Sequence, residues 1–345
     1  MAILEGRTLA RYELQHIIGK GGMADVYVGY DSDLQRYIAV KVFKHEEDEM
    51  LQRFIRESDL MSHLHHKNLM PIYNAGIDVV DHNYQYYIVM PFMAGGTLHS
   101  RIKRSPLTLN EACRYLYDIA SALDYVHAQG IIHRDIKASN VLLDEDGNCY
   151  LSDFGIARTT ASGVTRLTMT GGLLGTVDYV APELFEEHSK ADVPSDLYAL
   201  GILLYEMATG QLPFSAENPL AVANMHINKL PPLPHILNPA ISPLTEQVML
   251  KALEKRPALR YGSATEFATA FSQSLKASTN SNLWNAHPLL EELAASSHTL
   301  SSTTAPPASA SLYADTTSST LDQLTPLRRL SSSVSPRHRV MVVIT

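Results

Sequence analysis

The stretch that decides the fold reads His133-Arg134-Asp135-Ile136-Lys137-Ala138-Ser139-Asn140, and Asp153-Phe154-Gly155 follows it. It contains acidic and amide groups at a spacing that phosphoryl transfer requires. The charge on a transferring phosphoryl group is spread over its oxygens, so a protein mainly positions the reactants and neutralises charge with Mg²⁺. Asp135 suits the carboxylate that faces an incoming hydroxyl. Asp153 and the amide oxygen of Asn140 are hard ligands of the kind that Mg²⁺ prefers.

Lys137 lies two positions after Asp135, which favours contact with a γ-phosphate. Each of these short strings is weak by itself, because an isolated Asp-Phe-Gly is usually a turn. Their order and spacing make the combined pattern specific. The pattern predicts a site for phosphoryl transfer.

A glycine-rich segment upstream is typical of a hairpin that covers phosphates. It reads Ile18-Gly19-Lys20-Gly21-Gly22-Met23-Ala24-Asp25-Val26. Glycines let the backbone approach an anion closely, and their N–H groups can point at it. The plain alternative is a β-turn between two strands. A dinucleotide-binding turn is disfavoured, because it requires the glycines to open a helix and residues 26–30 continue as a strand.

A strand and a helix supply a candidate ion pair. Ala39-Val40-Lys41-Val42-Phe43 predicts a strand with an inward lysine, and residues 50–64 predict a helix. One face of that helix carries Phe54, Glu57, Met61 and Leu64. An acid among apolar neighbours is costly without a partner, so we expect Glu57 to pair with Lys41. The alternative is a rim position from which Glu57 reaches water.

Together these motifs resemble those of the eukaryotic-like (Hanks-type) Ser/Thr protein kinases, most closely the bacterial group, over roughly residues 10–272. Ala181-Pro182-Glu183, the helix aspartate Asp196 and Arg260 agree with the same pattern, which pairs Arg260 with Glu183. The resemblance implies an α+β, two-lobed protein kinase-like fold. The N-lobe, about residues 10–92, is strand-rich with one key helix, and the C-lobe, about residues 93–272, is mainly helical.

The resemblance also assigns roles to single residues. The catalytic set is Asp135, Lys137, Lys41 and Glu57, and the metal ligands are Asn140 and Asp153. The ATP-binding set is Ile18, Gly19, Gly21, Gly22, Val26, Ala39, Lys41, Pro91, Met93 and Leu142. ATP and Mg²⁺ are the implied cofactors, with Mn²⁺ as an alternative metal. Asp135-Ile136-Lys137 resembles the pattern of kinases that phosphorylate Ser or Thr, and Thr176 is the implied substrate-docking residue.

Regulation is expected in the segment between Ile156 and Val180. Arg134 precedes the catalytic aspartate, and its guanidinium is suited to bind a phosphate on that segment. Thr168 and Thr170 are the candidate regulatory phosphosites, because their spacing before Thr176 resembles that of the bacterial relatives. We expect autophosphorylation there. A pseudokinase scaffold that binds nucleotide without turnover is the alternative function, and the retained catalytic and metal set disfavours it.

Composition limits the remaining possibilities. A chain of 345 residues is long enough for a two-lobed domain with an appendage. Its net charge of -8 argues against a general nucleic-acid binder. Cys113 and Cys149 are the only cysteines, so no disulfide framework is implied and a reducing cytoplasm suits the chain. Protein substrates are the expected partners, and the bacterial relatives suggest a homodimer through the N-lobe.

The C-terminal part differs in composition from the rest. Residues 276–345 contain 23 Ser or Thr in 70 positions, with Ala and Pro between them. So little apolar surface does not offset the entropy of ordering, which predicts a disordered tail over 273–345. The last residues, from Arg337 to Thr345, place basic residues before a short apolar end. A truncated membrane anchor is one interpretation, but the run is too short to span a bilayer, so we expect no membrane association of this chain.

Overall fold

The N-terminal part of the chain folds into a six-stranded antiparallel sheet. The computed structural model describes residues 4–21, 24–44, 58, 62–154, 177–186 and 189–285, and side chains up to 278. The strands are β1 (Thr8–Leu9), β2 (Tyr12–Lys20), β3 (Ala24–Asp31), β4 (Arg36–Phe43), β5 (Asn74–Val80) and β6 (Asn83–Pro91). Their order is β1-β2-β3-β4-β6-β5.

Strand β4 shows how the sequence alternation sorts residues between the two faces of this sheet. Ile38, Val40 and Val42 are buried in a core cluster that also contains Tyr12. Ala39 belongs to a different cluster on the opposite face. Because successive side chains of a strand point to opposite faces, Lys41 shares the face of Ala39. The alternation therefore sends Lys41 to the side that carries the candidate nucleotide site.

The rest of the described chain is mainly helical. The helices are α1 (Leu98–Arg104), α2 (Leu109–Ala128), α3 (Val193–Thr209), α4 (Pro219–Asn228), α5 (Pro234–Leu237), α6 (Pro243–Ala252) and α7 (Ala264–Asn285). Thr108 and Glu111 form a capping box at the start of α2. Helix α3 begins with Pro194 in its first turn and is buried along nearly its whole length. It is therefore the central element of the C-lobe.

The chain also forms a second, short sheet of three strands. It contains β7 (Gly96–Thr97), β8 (Val141–Leu143) and β9 (Cys149–Leu151), in that order. Strands β8 and β9 form a hairpin whose turn includes Gly147 at φ 77°. Glycine adopts this left-handed conformation without a steric penalty. The position of this hairpin fixes the loops that flank it.

The predicted α+β, two-lobed architecture is confirmed. Two boundaries differ from the prediction. Leu4 is buried in the N-lobe core, before residue 10. Helix α7 passes residue 272 and continues to Asn285, so residues 273–285 are helical where we expected a disordered tail. Most of the predicted 50–64 helix, including Glu57, and all residues after 285 lie outside the described residues.

The histidines between the lobes have structural partners. His66 Nε2 lies 3.0 Å from Ser121 Oγ, and the Asn68 N–H donates to His66 Nδ1 at 3.1 Å. The ring of His66 also stacks on Tyr125 at a centroid distance of 5.4 Å. His65 N–H donates to the Tyr125 hydroxyl at 3.2 Å. These contacts hold the segment against helix α2.

Candidate active site

The catalytic-loop residues lie together around a short 3₁₀ turn at Ala138–Asn140, which follows Lys137 and ends at Asn140. Asn140 Nδ2 donates to the Asp135 backbone oxygen at 2.8 Å and to Asp135 Oδ2 at 2.9 Å. Lys137 Nζ lies 3.0 Å from the same Oδ2 atom. An amide and an ammonium therefore fix one carboxylate oxygen of Asp135. The spacing in the sequence brings the three side chains together, as the motif predicts.

The Asp196 carboxylate binds the backbone of this loop through two hydrogen bonds. Its Oδ2 accepts the N–H of His133 at 2.8 Å, and its Oδ1 accepts the N–H of Arg134 at 2.9 Å. Arg134 has φ 66°, a conformation that is uncommon for residues other than glycine. The buried carboxylate, which is a charged acceptor for two consecutive N–H groups, stabilises that strained conformation. Asp196 thereby orients the residue just before Asp135.

His133 is part of the scaffold. Its Nδ1 accepts the N–H of Asp135 at 3.3 Å, and its Nε2 lies 3.2 Å from the Ser152 carbonyl oxygen. Burial lowers the pKa of His133, and the nearby carboxylates offset only part of that shift. Its ring packs on Phe154 at a centroid distance of 4.5 Å. A neutral imidazole with both nitrogens engaged links the catalytic loop to the Asp153 segment.

Lys41 contacts Asp153 directly, as an ion pair and hydrogen bond. Its expected partner, Glu57, lies outside the described residues, so that pairing stays a prediction. Burial raises the pKa of Asp153. The charges nearby, chiefly that of Lys41 with its hydrogen bond, lower the pKa by more than burial raises it, so the pKa lies below its ordinary value. Asp153 has φ 57°, a second strained position in the site. Asp153 is therefore ionised near neutral pH.

Asn140 and Asp153 have a donor set that fits a magnesium ion. The Ser152 N–H and Ser152 Oγ both donate to the Asn140 carbonyl oxygen at 2.9 Å, which keeps Asp153, the next residue, beside Asn140. The Asn140 amide nitrogen is engaged by Asp135, which leaves the amide oxygen as its ligand atom. A carboxylate and an amide oxygen are hard ligands suited to Mg²⁺. Lys41 occupies one Asp153 oxygen in this structure.

The predicted adenine-binding residues lie in one apolar cluster between the lobes. Its buried members are Ala39, Met70, Ile88 and Met90, and its partly buried members include Val26, Met93 and Leu142. Val26 pairs with Lys41 across β3 and β4, which places the apolar cluster beside the ammonium. Pro91 ends β6 opposite Ile38. Ile18, at the rim, is 47% exposed. The N-lobe and C-lobe thus both contribute walls to one apolar slot.

The glycine-rich hairpin joins β2 to β3. Gly19 pairs with Val26, and the Gly21 N–H donates to the Ala24 carbonyl oxygen at 2.9 Å. A Cβ on Gly21 would lie only 3.0 Å from that oxygen, so a larger residue there would have to displace the backbone of the turn. Gly22 lies outside the described residues. Lys44 Nζ contacts the Gly21 carbonyl oxygen at 2.8 Å.

The Glu183 carboxylate forms a bidentate ion pair with Arg260, as the motif predicts. Both oxygen–nitrogen distances are 2.7 Å, and the Arg260 side chain is fully buried. The remaining guanidinium donors reach the carbonyls of Pro194, Glu254 and Lys255 at 2.8, 2.8 and 3.1 Å. All five N–H groups of the guanidinium therefore have acceptors. This pair joins the segment after the regulatory loop to the base of the C-lobe.

Tyr179 follows the expected substrate-docking segment and donates its hydroxyl to Glu206. Burial raises the pKa of both groups. Thr168, Thr170 and Thr176 lie outside the described residues, so their roles stay predictions.

Three residues of the site were missed from the sequence. His127 Nε2 lies 2.8 Å from Asp196 Oδ2 and so supports the catalytic-loop anchor. Lys44 contacts the hairpin turn. A Cβ on Gly95 would lie 2.4 Å from the Asp144 backbone oxygen and 2.7 Å from the Leu143 backbone oxygen, so the loop between β6 and β7 passes directly against the end of β8. Of the three, only His127 could have been suspected from the sequence, because it lies six residues before His133 and on the buried side of α2.

The family model for the protein kinase domain matches residues 12–273. The chain belongs to the protein kinase domain family. PrkC of Bacillus subtilis, a serine/threonine-protein kinase, is 38% identical over 264 residues, which are 75% of this chain and 40% of the relative. PknB of Mycobacterium tuberculosis, also a serine/threonine-protein kinase, is 36% identical over 260 residues, which are 74% of this chain and 41% of the relative.

The chain spans about two fifths of the length of these curated relatives. Among solved structures, the kinase domain of Mycobacterium tuberculosis PknI is similar, with a TM-score of 0.60 and 27% identity. That comparison covers 79% of this chain and 100% of the PknI domain. In the part of the chain that the structure describes, no helix is both long and apolar enough to cross a bilayer.

Proposed function

We propose that this kinase domain transfers the γ-phosphoryl group of Mg-ATP to Ser or Thr hydroxyls of protein substrates. The observation that carries the proposal is the arrangement around Asp135. Its Oδ2 lies 2.9 Å from Asn140 Nδ2 and 3.0 Å from Lys137 Nζ, while Asp153 follows a segment bound to Asn140. A hydroxyl-activating carboxylate, a cation for the phosphate and two oxygen ligands are the parts that phosphoryl transfer requires.

Each group then has a separate role. Asp135 orients the acceptor hydroxyl and accepts its proton as the hydroxyl oxygen bonds to the γ-phosphorus, while the bond from that phosphorus to the β–γ bridging oxygen breaks and ADP leaves. Lys137 neutralises charge on the transferring phosphoryl group, and Lys41 does so on the α- and β-phosphates. Asn140 and Asp153 would hold Mg²⁺, which neutralises phosphate charge when it is bound. The apolar slot of Val26, Ala39 and Leu142 receives the adenine ring, with Pro91 and Met93 beside it.

Radiolabelled ATP tests the proposal directly. The chain is incubated with labelled ATP, Mg²⁺ and casein, and incorporation is compared with that of Asp135→Asn and Asp153→Asn. Asp146→Asn is a matched control, because Asp146 is an exposed residue in the turn of the β8–β9 hairpin. We expect label in wild type and control only. Equal incorporation in wild type and Asp153→Asn would exclude the metal-holding role.

The contact between Lys41 and Asp153 favours one second function, a scaffold that binds nucleotide without turnover. In that arrangement the ammonium takes up an oxygen needed for metal. The two functions predict different results for Mg²⁺ titration in the presence of ADP. A kinase binds Mg·ADP more tightly as Mg²⁺ rises and transfers phosphate, with Mn²⁺ as a substitute metal. A scaffold binds ADP independently of Mg²⁺ and transfers none.

Activation by autophosphorylation at Thr168 and Thr170 is part of the proposal. Arg134 supports it, because its buried Nε has no hydrogen-bond partner among the described residues. A guanidinium binds phosphate through strong charge-assisted hydrogen bonds. The double variant Thr168→Ala/Thr170→Ala should lose phosphorylation in mass spectra and most of its activity. Full activity of that variant toward casein would contradict the idea.

An N-lobe homodimer and a cytoplasmic location complete the proposal. The β5–β6 hairpin supports the first, because Ile77, Val79 and Tyr84 are 47%, 53% and 64% exposed at the sheet edge. Sedimentation of wild type against Val79→Asp tests it, with a dimer expected only in wild type. The free thiols of Cys113 and Cys149 support the second, since a reducing compartment maintains thiols. Thr176 is the proposed docking residue for the substrate.

A further inference from the structure

Lys44 connects both sides of the glycine-rich turn to the end of β4. Its Nζ donates to the Gly21 carbonyl oxygen at 2.8 Å, just before the turn. The same atom lies 2.6 Å from Asp25 Oδ1, just after the turn. The side chains of Lys44 and Asp25 are only 27% and 14% exposed. One ammonium therefore holds the two strands of the hairpin at their tip.

This contact restricts the part of the chain with the greatest freedom. Glycine loses more conformational entropy on ordering than any other residue, so a glycine-rich turn is costly to hold in one shape. A carbonyl fixed on an ammonium fixes the plane of its peptide group, because that group is rigid. Binding groups that are ordered beforehand do not lose that entropy when a ligand arrives. The contact of Lys44 with Gly21 therefore fixes the backbone at the point where β2 enters the turn.

The charge of Lys44 is already compensated. Asp25 lies within 2.6 Å of it, so the two groups form a local ion pair. By contrast, Lys41 contacts Asp153 across the cleft, on the side of the metal ligands. The two lysines of this strand region thus have different partners on different elements. A lysine neutralised at the base of the turn is suited to hold the turn in place.

We propose that Lys44 is a positioning residue for the nucleotide and that Asp25 holds it on the hairpin. The pair orders the turn before the phosphates arrive, and neither side chain touches the reacting atoms. This inference rests on the proposed function of the site. It predicts that loss of either partner weakens nucleotide binding and leaves the transfer step itself nearly unchanged.

Asp25→Asn separates this role from direct binding of phosphate by Lys44. If Lys44 contacts the phosphates itself, removal of the neighbouring carboxylate frees its charge, and the affinity for ADP rises. If the pair orders the turn, the affinity falls, as it does in Lys44→Met. The two mechanisms thus predict opposite signs for one substitution.

The experiment measures the Kd for Mg·ADP by calorimetry and the KM and kcat for ATP with casein. Wild type is compared with Lys44→Met, Asp25→Asn, the double variant and Lys44→Arg. Lys229→Met is the control, because Lys229 is exposed and lies at the end of α4. We expect Kd and KM to rise about threefold to tenfold in both single variants, the effect of losing part of one charge-assisted hydrogen bond. The kcat should stay within about twofold, and Lys44→Arg should restore binding.

The double variant should bind ADP no more weakly than either single variant, since both remove one interaction. Unchanged Kd in Lys44→Met, or tighter binding in Asp25→Asn, would overturn the proposal. If wild type binds ADP but transfers no phosphate, the proposed function fails, and the ADP affinities still decide the role of Lys44. If wild type binds no ADP, both inferences fail. Melting curves of all variants verify the native fold.

Discussion

Substitution of Asp196 by Asn tests whether the buried anchor of the catalytic loop sets the rate. The carboxylate accepts the N–H groups of His133 and Arg134 and lies 2.8 Å from His127 Nε2. Asn keeps one oxygen, which can serve His133 and His127 through the position of Oδ2. The NH₂ group of Asn would then face the Arg134 N–H. Both groups are donors, so the hydrogen bond from the Arg134 N–H to a charged acceptor is lost.

The size of the effect follows from that exchange. A hydrogen bond to a charged group contributes about 1.5–3 kcal/mol. The left-handed Arg134, at φ 66°, stores strain of about 1–3 kcal/mol that the lost bond no longer holds. With about 3 kcal/mol lost from the loop geometry and 1.36 kcal/mol for each tenfold change in rate, kcat should fall about a hundredfold. The KM for ATP should stay nearly unchanged, because the hydrogen bonds of Asp196 go to the loop backbone and to His127 and not to the proposed ATP-binding residues.

Initial rates of transfer from ATP to casein, measured over a range of ATP concentrations, give both constants. Asp192→Asn on the same helix is the matched control, since Asn is as good an N-cap residue as Asp. Melting curves and near-ultraviolet circular dichroism verify that Asp196→Asn is folded. A folded variant whose kcat stays within about threefold of wild type would refute the reasoning.

Three further predictions concern stability. Glu183→Gln should lose about 3–5 kcal/mol in urea unfolding because it leaves the buried guanidinium of Arg260 uncompensated, whereas the exposed control Glu254→Gln should lose little. Lys255 has its pKa lowered to about 8, chiefly by burial, so the folded state releases its proton before the unfolded state does. The stability of wild type relative to Lys255→Met should therefore rise as the pH increases from 8 towards 10, and a flat difference would contradict this. Gly95→Ala should lower the melting temperature, because its Cβ would meet backbone oxygens at 2.4 and 2.7 Å; a melting temperature equal to that of wild type would be inconsistent with that close approach.

The sequence predicted those parts of the fold and site that depend on local spacing. The alternation in β4 determines the face that Lys41 occupies. The five positions from Asp135 to Asn140 suffice to bring two side chains within 2.9 Å. Geometry of this kind is determined by a few consecutive residues. The α+β, two-lobed architecture followed from the same motifs through their resemblance to a known family.

Contacts between distant segments were not predictable in this way. His127 and Asp196 are 69 positions apart, and Lys44 meets Gly21 across 23 positions. No pattern within one segment determines such a contact, since it depends on how whole elements pack. Gly95 likewise reads as an ordinary loop glycine until β8 lies against it.

Composition gave a wrong boundary at α7. Serines and threonines become frequent near residue 276, which predicted disorder. The helix continues because Phe267 and Phe271 are fully buried on its inner face. Ser274 and Ser278 donate their hydroxyls to the carbonyls of Phe271 and Ser274, at 2.7 and 2.8 Å, and so satisfy their polarity within the helix. A polar composition therefore coexists with a helix that is anchored by its apolar face.

The pairing of Lys41 with Asp153 has an electrostatic consequence for loading of the cleft. Each ion is the counter-ion of the other, so neither charge is uncompensated before nucleotide binds. Nucleotide phosphates and a divalent cation arrive as an assembly with its own internal neutralisation. In the proposed function, loading would exchange one compensated set of charges for another, with Lys41 pairing with phosphate oxygens and Asp153 with the cation. Because each ion has a counter-ion at the start and at the end, this exchange would leave neither charge uncompensated in the cleft.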